Sequence, residues 1–185
     1  MKNATEKLPK LVRVSLGSAI VLKLMKGKLD AAPTTAYLMT HRRGKCLANC
    51  GFCPQARKSH GRADMLSRVS WPAFPTKQVL NGIEKAIGTG IKRVCIQALN
   101  YTEVLDDILN LSKAIHSSSN VPISVSCQPL NKSQIKELAE AGVSRVSIAL
   151  DAATEELFDK VKGALTQSPY TWQQHRKSLL EAVEV

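Results

Sequence analysis

A chain of 185 residues, 44% of them hydrophobic, is long enough to bury one sizeable core, which must be mainly aliphatic because only 4% are aromatic. No apolar run is long enough to span a bilayer, and the longest, residues 16–24, is interrupted by Lys23 and lacks a signal-peptide cleavage site. We therefore expect a cytoplasmic protein without membrane contact. The net charge of +11 would suit nucleic-acid binding, but no aromatic residues interleave with the basic ones as a stacking platform requires. We favour a basic surface, balanced by acidic residues in a longer chain or a partner, over a nucleic-acid partner.

The first part of the chain, residues 1–34, is predicted to be a basic and partly helical lead-in. Its apolar residues Leu16, Ile20 and Leu24 recur at helical spacing. Pro33 then separates this segment from a short run with strand character.

From residue 35 onward, strand patterns alternate with helix patterns. The predicted strands are residues 35–40, 93–97, 122–127 and 144–150. The predicted helices begin at Thr76, Thr102, Asn131 and Thr154 and near Tyr170, and Asn131 with Gln134 resembles a capping box. This alternation predicts βαβ units and a parallel sheet.

The predicted pattern ends on a helix, where a further strand should follow. A closed barrel of eight βα units needs about 250 residues. We therefore predict an α/β fold that is a partial (βα) barrel over residues 35–185, truncated before its later strands.

Five cysteines are present, and three of them, Cys46, Cys50 and Cys53, lie close together. An odd number clustered in this way does not suit a secreted disulfide framework, so it indicates metal binding in a reducing compartment. Three thiolates spaced by three and then two residues can converge on one 4Fe–4S cluster and leave its fourth iron open. Structural zinc is an alternative, for which His41 or His60 could supply the fourth ligand.

The segment around these cysteines is strongly basic. There is no acidic residue between Asp30 and Asp64, while Arg42, Arg43, Lys45, Arg57, Lys58 and Arg62 are all basic. Positive charge near a cysteine favours the thiolate that binds metal, and Lys45 is the basic residue closest in sequence. The other basic side chains are expected to be solvated.

The cysteine spacing, with Phe52 immediately before the last cysteine, resembles the signature of the radical S-adenosylmethionine superfamily. The resemblance implies a barrel of the radical SAM type, with S-adenosylmethionine chelated by the open iron through its amino and carboxylate groups. An electron from the cluster would cleave it to a 5′-deoxyadenosyl radical for hydrogen abstraction. The resemblance also implies cofactor contacts from Phe52, a small-molecule substrate and an electron donor of the flavodoxin or ferredoxin type.

Within that superfamily, the segment from Cys50 to Gln55 is most similar to biotin synthase, as are the sequences around Cys95 and Cys127. That resemblance implies a second, 2Fe–2S cluster as sulfur donor, with Cys95 and Cys127 as ligands and further ligands beyond Val185. Each cysteine could instead be a small buried hydrophobic residue. By strand alternation Cys127 shares a face with Val125, so pointing it into the barrel would require a bulge nearby.

Asp151 matches the acidic residue that, in the resembling family, hydrogen-bonds the ribose of the cofactor. A carboxylate at the C-terminal end of a barrel strand suits that role, although Asp151 could instead cap the helix that follows. Ser147 and Ala149 stand where biotin synthase carries asparagines, which argues against dethiobiotin as substrate. Three hypotheses remain: a biotin synthase-like enzyme with sulfur insertion, a radical enzyme of another branch acting on a small molecule or RNA, and a non-catalytic iron–sulfur or zinc module.

Overall fold

The computed structural model of the protein describes residues 8–88 and 90–185. Strands lie at β1 (Leu11–Val14), β2 (Thr35–Thr40), β3 (Met65–Leu66), β4 (Val69–Ser70), β5 (Ala73–Pro75), β6 (Arg93–Gln97), β7 (Ile123–Ser126) and β8 (Val143–Ser147). Helices lie at α1 (Leu16–Val21), α2 (Thr76–Ala86), α3 (Val104–Ser118), α4 (Lys132–Glu140), α5 (Glu155–Val161) and α6 (Trp172–Val183), with a 3-10 turn at Ala164–Thr166.

Six strands form one mixed sheet in the order β5-β1-β2-β6-β7-β8. The strands from β2 to β8 in this order are parallel, whereas β1 runs antiparallel to both β2 and β5. Strands β3 and β4 form a separate antiparallel pair. The α/β class and the four predicted parallel strands are therefore confirmed.

The N-terminal segment contributes a strand that the sequence analysis did not predict. Strand β1 lies within the main sheet, with Val12 and Val14 fully buried. The expected helix is only six residues long, and Lys23 follows it with a φ of 56°. Residues 1–7 of the predicted lead-in lie outside the described residues.

One face of the parallel sheet packs against the helices. Val94 and Ile96 of β6 and Ile123 and Val125 of β7 are fully buried in the core. They pack in one cluster with the apolar faces of the helices, from Val79, Ile83, Ile108, Leu111, Ile115, Ile135 and Leu138. Fully burying one such side chain stabilises the fold by about 1.5–3 kcal/mol.

The opposite face of the sheet is more polar. Cys95 and Gln97 of β6 are level with Ser124 and Ser126 of β7, and these four residues alternate with the buried apolar ones. A polar row on one face and an apolar row on the other follow directly from the period of two in each strand. The polar face is therefore the one that is free to carry a functional site.

Helix ends agree in part with the predictions. Asn131 and Gln134 form the predicted capping box of α4, and the Thr154 hydroxyl accepts a hydrogen bond from Leu157 N. Thr102 is not a cap, because α3 begins at Val104 and Glu103 occupies its N-cap position without a side-chain bond. Gly142 follows α4 with a φ of 88°, a conformation that glycine adopts without steric cost.

No helix within residues 8–88 and 90–185 combines the length and the apolar character needed to cross a bilayer.

Candidate active site

A cavity of about 200 Å³ lies at the C-terminal ends of β2, β6 and β7, on the polar side of the sheet. We call it the thiol cavity. Its lining includes all three cysteines of the predicted metal loop, here called the loop cysteines (Cys46, Cys50 and Cys53), together with Asp151. The cavity is also lined by Gln55, Gln97, Cys127, Gln128, Lys162, Tyr170 and His175.

The segment from Cys46 to Gln55, here called the cysteine loop, is closed by its own backbone. Cys46 N donates to Gln55 O at 2.9 Å, and Cys53 N donates to Cys50 O at 3.1 Å. Such bonds fix the turn between the last two cysteines, so their thiols cannot separate freely. The three cysteines, which are close in sequence, are thereby held within one folded loop.

Two neighbouring elements hold the cysteine loop from outside. Leu47 N donates to Asn100 O at 2.8 Å, just beyond β6, and Gly51 N donates to Val161 O at 2.8 Å, at the end of α5. Asn49 adds a side-chain bond from Nδ2 to Thr166 O at 2.6 Å. The cysteine loop therefore lies over the C-terminal ends of the strands, because two segments distant in sequence supply its hydrogen-bond partners.

Gln55 ends the cysteine loop and is almost fully buried. Its Nε2 donates to Ala63 O and to Met65 O, each at 2.7 Å. The guanidinium of Arg13, which comes from β1, donates to the same Ala63 carbonyl. Gln55 thus joins the cysteine loop to the segment before β3, and the N-terminal strand supports the same junction.

Cys46 receives a hydrogen bond from the backbone. Asn100 N lies 3.1 Å from Cys46 Sγ, and Asn100 Nδ2 donates to the Tyr170 hydroxyl at 3.1 Å. Amide donors to cysteine sulfur stabilise negative charge there and are among the levers that tune an iron–sulfur cluster. The segment after β6 therefore holds the Cys46 sulfur in place through its backbone.

Burial decides the pKa values of the other two loop cysteines. Burial raises the pKa of the Cys50 thiol to about 11, against the opposing charge of Lys162, and burial also raises the pKa of Cys53. For these two thiols the effect of burial on the pKa is larger than that of the nearby positive charge. In proteins a bound metal displaces such protons, so the free energy of metal binding offsets the cost of ionising a buried thiol.

Lys45 does not act on the thiols in the way the sequence suggested. Its ammonium donates to the carbonyl of Pro54 at 3.0 Å and to the carbonyls of Ser59 and Gly61. Lys45 therefore fastens the loop backbone, and the buried cation that acts on Cys50 is Lys162.

Asp151 lies just beyond β8 with a φ of 60°, in the left-handed region that few non-glycine residues adopt. Its Oδ2 is 2.6 Å from Lys162 Nζ. The cap of the next helix is Thr154, so the alternative role of Asp151 as a helix cap is not what the structure shows. Asp151 and the loop cysteines line the same cavity.

An aromatic cluster closes one side of the thiol cavity. His175 is buried, with its ring 4.9 Å from that of Phe158 and 5.2 Å from that of Tyr170, both in edge-to-face geometry. Burial lowers the pKa of His175 and raises that of Tyr170. Sequence reasoning missed His175, Tyr170 and Lys162, because each lies in or next to a helix far from the cysteine motif and no spacing rule marks it.

Phe52, predicted to contact the cofactor, is 59% exposed. It sits in the turn between Cys50 and Cys53 and lines a different, outer hollow with Arg62 and Met65. The structure does not bring it to the thiol cavity. Its predicted contact with the cofactor finds no support in this placement, because the turn points its side chain away.

The structure does not bring Cys95 and Cys127, here called the distal cysteines, to one place. Cys95 lies within β6, level with Ser124, and receives a contact from Gln97 Nε2 at 3.4 Å. Cys127 lies beyond the end of β7, three residues further along than Ser124, and lines the thiol cavity. At about 3.3 Å per residue this is an offset of roughly 10 Å along the strands.

Cys127 reaches the cavity without the bulge that the sequence analysis required. Strand β7 ends at Ser126, so alternation no longer governs the next side chain. The irregularity of the ladder lies instead between Ile123 and Ser124. Burial raises the pKa of the Cys127 thiol to about 12, and its side chain also packs on the core.

Across the described parts of the chain, no group of three or more His, Cys, Asp or Glu side chains is close enough to hold one metal ion. The loop cysteines nevertheless line one cavity, as the ligands of an iron–sulfur cluster bound by a single loop must. His41 and His60, the candidate fourth ligands of a zinc site, do not line that cavity.

A second hollow of about 370 Å³ adjoins the thiol cavity, since Gln128 and Tyr170 line both. Its other walls come from the segment before α4 and from α6, and include Asn131, Gln174, Lys177 and Glu181. We call it the adjoining hollow. Together the two spaces are in the range of about 300–1,000 Å³ that is typical of ligand sites.

The sequence is similar to one described protein family and to several curated proteins. The model of the family described as "Radical SAM superfamily" matches residues 43–185. The chain is 24% identical to the biotin synthase of Sulfurihydrogenibium sp. (strain YO3AOP1) over 151 residues, which cover 80% of this chain and 42% of that protein. It is 28% identical to the biotin synthase of Magnetococcus marinus over 113 residues, covering 60% and 34% of the two chains. The chain therefore spans less than half the length of these curated relatives.

Two solved structures share the fold. The HydG maturase of the [FeFe]-hydrogenase is similar with a TM-score of 0.59 and 16% identity, over 81% of this chain and 32% of that one. Methylornithine synthase (PylB) is similar with a TM-score of 0.59 and 13% identity, over 90% and 45% of the two chains. At these identities the likeness concerns the fold alone, and it agrees with the predicted partial barrel.

Proposed function

The chain belongs to the radical SAM superfamily, and we propose that it is the cofactor-binding part of an enzyme that abstracts hydrogen from a small molecule. The observation that carries the proposal is the common placement of the loop cysteines and Asp151 around one cavity at the strand ends. In α/β barrels this edge of the sheet is where active sites lie.

When bound, a 4Fe–4S cluster with one open iron would chelate S-adenosylmethionine and supply the electron that releases a 5′-deoxyadenosyl radical. The loop cysteines would hold the cluster, with the Asn100 amide supporting Cys46. Asp151 would accept hydrogen bonds from the ribose of the cofactor. The aromatic cluster of Phe158, Tyr170 and His175 would exclude water from that side of the cavity.

The adjoining hollow is our candidate for the substrate site. It shares Gln128 and Tyr170 with the thiol cavity, so a molecule held there would lie beside the cofactor. Its polar lining from Asn131, Lys177 and Glu181 suits a small polar molecule.

The finer question is whether the reaction inserts sulfur. The similarity to biotin synthases supports sulfur insertion, which would need a second cluster between the distal cysteines. The position beside Cys95 on β7 is Ser124, however, and Cys127 lies further along the chain. For this reason we propose, as the second candidate function, a radical enzyme of another branch that uses one cluster and acts on a different small molecule.

We also propose that an acidic electron donor of the flavodoxin or ferredoxin type reaches the cluster through the outer face of the cysteine loop. Together with Lys58, Cys50 and Cys53 line a further hollow, which is separate from the one beside Phe52. Arg43 and Arg57 are exposed close by in sequence. Opposite charge steers association and makes it sensitive to salt. The rate of reduction by such a donor should therefore fall as ionic strength rises, and Lys58→Glu should slow it further.

The experiment that tests the main proposal is anaerobic reconstitution of the chain with iron and sulfide, followed by two measurements. We expect S-adenosylmethionine to bind and to perturb the electron paramagnetic resonance signal of the reduced cluster. With dithionite as reductant, 5′-deoxyadenosine should then form. A cluster that assembles but neither binds nor cleaves S-adenosylmethionine would instead indicate the non-catalytic module, and loading with zinc alone would indicate the zinc site.

A further inference from the structure

We propose that Lys162 is a positioning residue that holds the Asp151 carboxylate in place for the ribose of the cofactor. The inference rests on the proposed function and names a residue that neither the cysteine motif nor the family comparison assigns. Lys162 lies at the end of α5, and its side chain is only 9% exposed. A buried lysine beside a cavity of thiols calls for a reason, because burying an ammonium without partners is costly.

Two of the three donors of the Lys162 ammonium have an acceptor within the protein. Its Nζ donates to Asp151 Oδ2 at 2.6 Å and to the carbonyl of Ala149. The same atom lies 5.6 Å from the centroid of the Tyr170 ring, within the range of a cation–π contact. Because an ammonium has three donors, these contacts leave it little capacity for another ligand.

The backbone holds the Lys162 stem rigidly. Lys162 N donates to Phe158 O at 2.7 Å, and Phe158 is a fully buried anchor of α5. On the other side, Val161 O is the acceptor for Gly51 N of the cysteine loop. The lysine is therefore fixed relative to the loop cysteines before any cofactor binds.

The Asp151 carboxylate is held by one oxygen only. Oδ2 is bonded to Lys162, and among residues 8–88 and 90–185 no donor is found for Oδ1. Asp151 also lies in a left-handed backbone conformation at φ 60°, which costs free energy unless the surroundings maintain it. Because Asp151 lines the thiol cavity and has one oxygen without a donor, its carboxylate is suited to accept a hydrogen bond from a hydroxyl group there.

A competing role can be separated by experiment. Lys162 could bind the methionine carboxylate of S-adenosylmethionine directly, in which case Asp151 would not depend on it. The probe that distinguishes the two is 5′-methylthioadenosine, which has the ribose and the adenine but lacks the amino-acid group. Positioning of Asp151 affects both molecules, whereas direct binding of the carboxylate affects only S-adenosylmethionine.

The test compares Lys162→Met with Lys162→Arg, and uses Lys160→Met as a matched control. Lys160 lies on the same helix but is 53% exposed, with an ordinary surface pair to Glu156. Affinities for both molecules are measured by anaerobic equilibrium dialysis on the reconstituted chain. We expect Lys162→Met to weaken both by on the order of tenfold or more and by the same factor. Lys162→Arg should recover much of the loss, and Lys160→Met should match the wild type.

Two results would overturn the inference. One is a loss of affinity for S-adenosylmethionine alone, and the other is unchanged affinity for both molecules in Lys162→Met. If Lys162→Met does not fold, the double variant Lys162→Met/Asp151→Asn replaces it, since it removes both charges together. That variant should bind no more weakly than Asp151→Asn alone, because the two residues act as one unit. Weaker binding of the double variant would contradict the inference. A wild-type chain that assembles no cluster or binds no S-adenosylmethionine would instead refute the proposed function itself.

Discussion

The loop cysteines and the distal cysteines are held in different ways. Cys46, Cys50 and Cys53 belong to one loop that is closed on itself and bonded to the segment after β6 and to the end of α5. Cys95 and Cys127 belong to neighbouring parallel strands or their ends, and their relative height depends on the register of β6 with β7. The loop cysteines reach one cavity together, whereas only Cys127 of the distal pair does.

Cysteines that lie close in sequence come together reliably, because a few hydrogen bonds of one loop hold them. Two thiols on neighbouring strands come together only if the register between the strands is right. Each residue of shift in that register moves a side chain by about 3.3 Å along the strand. The same sequence motif can thus survive in the loop while a site between strands is lost.

The largest effect is expected from the loop cysteines. Replacing Cys46, Cys50 and Cys53 together by Ala should abolish cluster formation, because it removes every thiol of the loop. Iron and sulfide analysis after anaerobic reconstitution should fall from about four of each per chain to near zero. Cys95→Ala, which removes a thiol outside the loop, is the control and should keep its iron. Full iron and sulfide in the triple variant would show that the assignment is wrong.

A smaller effect is expected at Asp151. Asp151→Ala should weaken S-adenosylmethionine binding by about 1–3 kcal/mol, the scale of leaving polar partners unpaired. Binding is measured by equilibrium dialysis with the cluster intact. Asp159→Ala removes a carboxylate that lies on α5 and does not line the thiol cavity, and it serves as the control. Equal affinities for the two variants would remove Asp151 from the cofactor site.

The outer attachment of the cysteine loop can be tested at Asn49. Its Nδ2 donates to Thr166 O, and its Oδ1 accepts from Lys58 N. Asn49→Ala should lower the free energy of unfolding by about 1 kcal/mol, measured by urea denaturation of the metal-free chain. Lys58→Ala keeps the backbone donor and removes an exposed hydrogen bond from Lys58 Nζ to Gln167 Oε1, so it should change stability by less than about 0.5 kcal/mol. A loss for Asn49→Ala no larger than for Lys58→Ala would mean that this attachment carries little energy.

No effect on cluster content is expected from the distal cysteines. Cys95→Ser and Cys127→Ser should each keep the iron and sulfide content of the wild type, because the structure gives the two thiols no common site. A drop of about two irons in both variants, with the loop cysteines intact, would reveal a second cluster. It would also restore sulfur insertion as the favoured reaction.

Much of the fold could be predicted from periodicity. In β6 and β7 buried apolar residues occupy every second position, and the capping box at Asn131 marks the start of α4. Strand β1 was missed because four residues preceding a helical pattern carry too weak a signal, and the partners that stabilise it, β2 and β5, are distant in sequence. Thr102 was mistaken for a cap because a threonine near a helix start has the right chemistry whether or not its geometry is suitable.

The residues of the candidate site also fall into two groups, those that the sequence indicates and those that it does not. The loop cysteines could be found from their spacing and Asp151 from its place after a predicted strand. Phe52 could not be placed, because the sequence does not say to which side a turn directs its central residue. Lys162, Tyr170 and His175 lie on segments whose approach to the cysteine loop is decided by the packing of α5 and α6.

The sequence by itself therefore determined the class of the fold, the family and the three thiols, because helix and strand periods and a short loop motif are local properties. Only the tertiary structure decided the rest. The pairing of Lys162 with Asp151 depends on the path of the chain from β8 through α5. The separation of Cys95 from Cys127 depends on the register between two strands. Contacts between distant segments depend on how elements pack, and no local pattern in the chain encodes that packing.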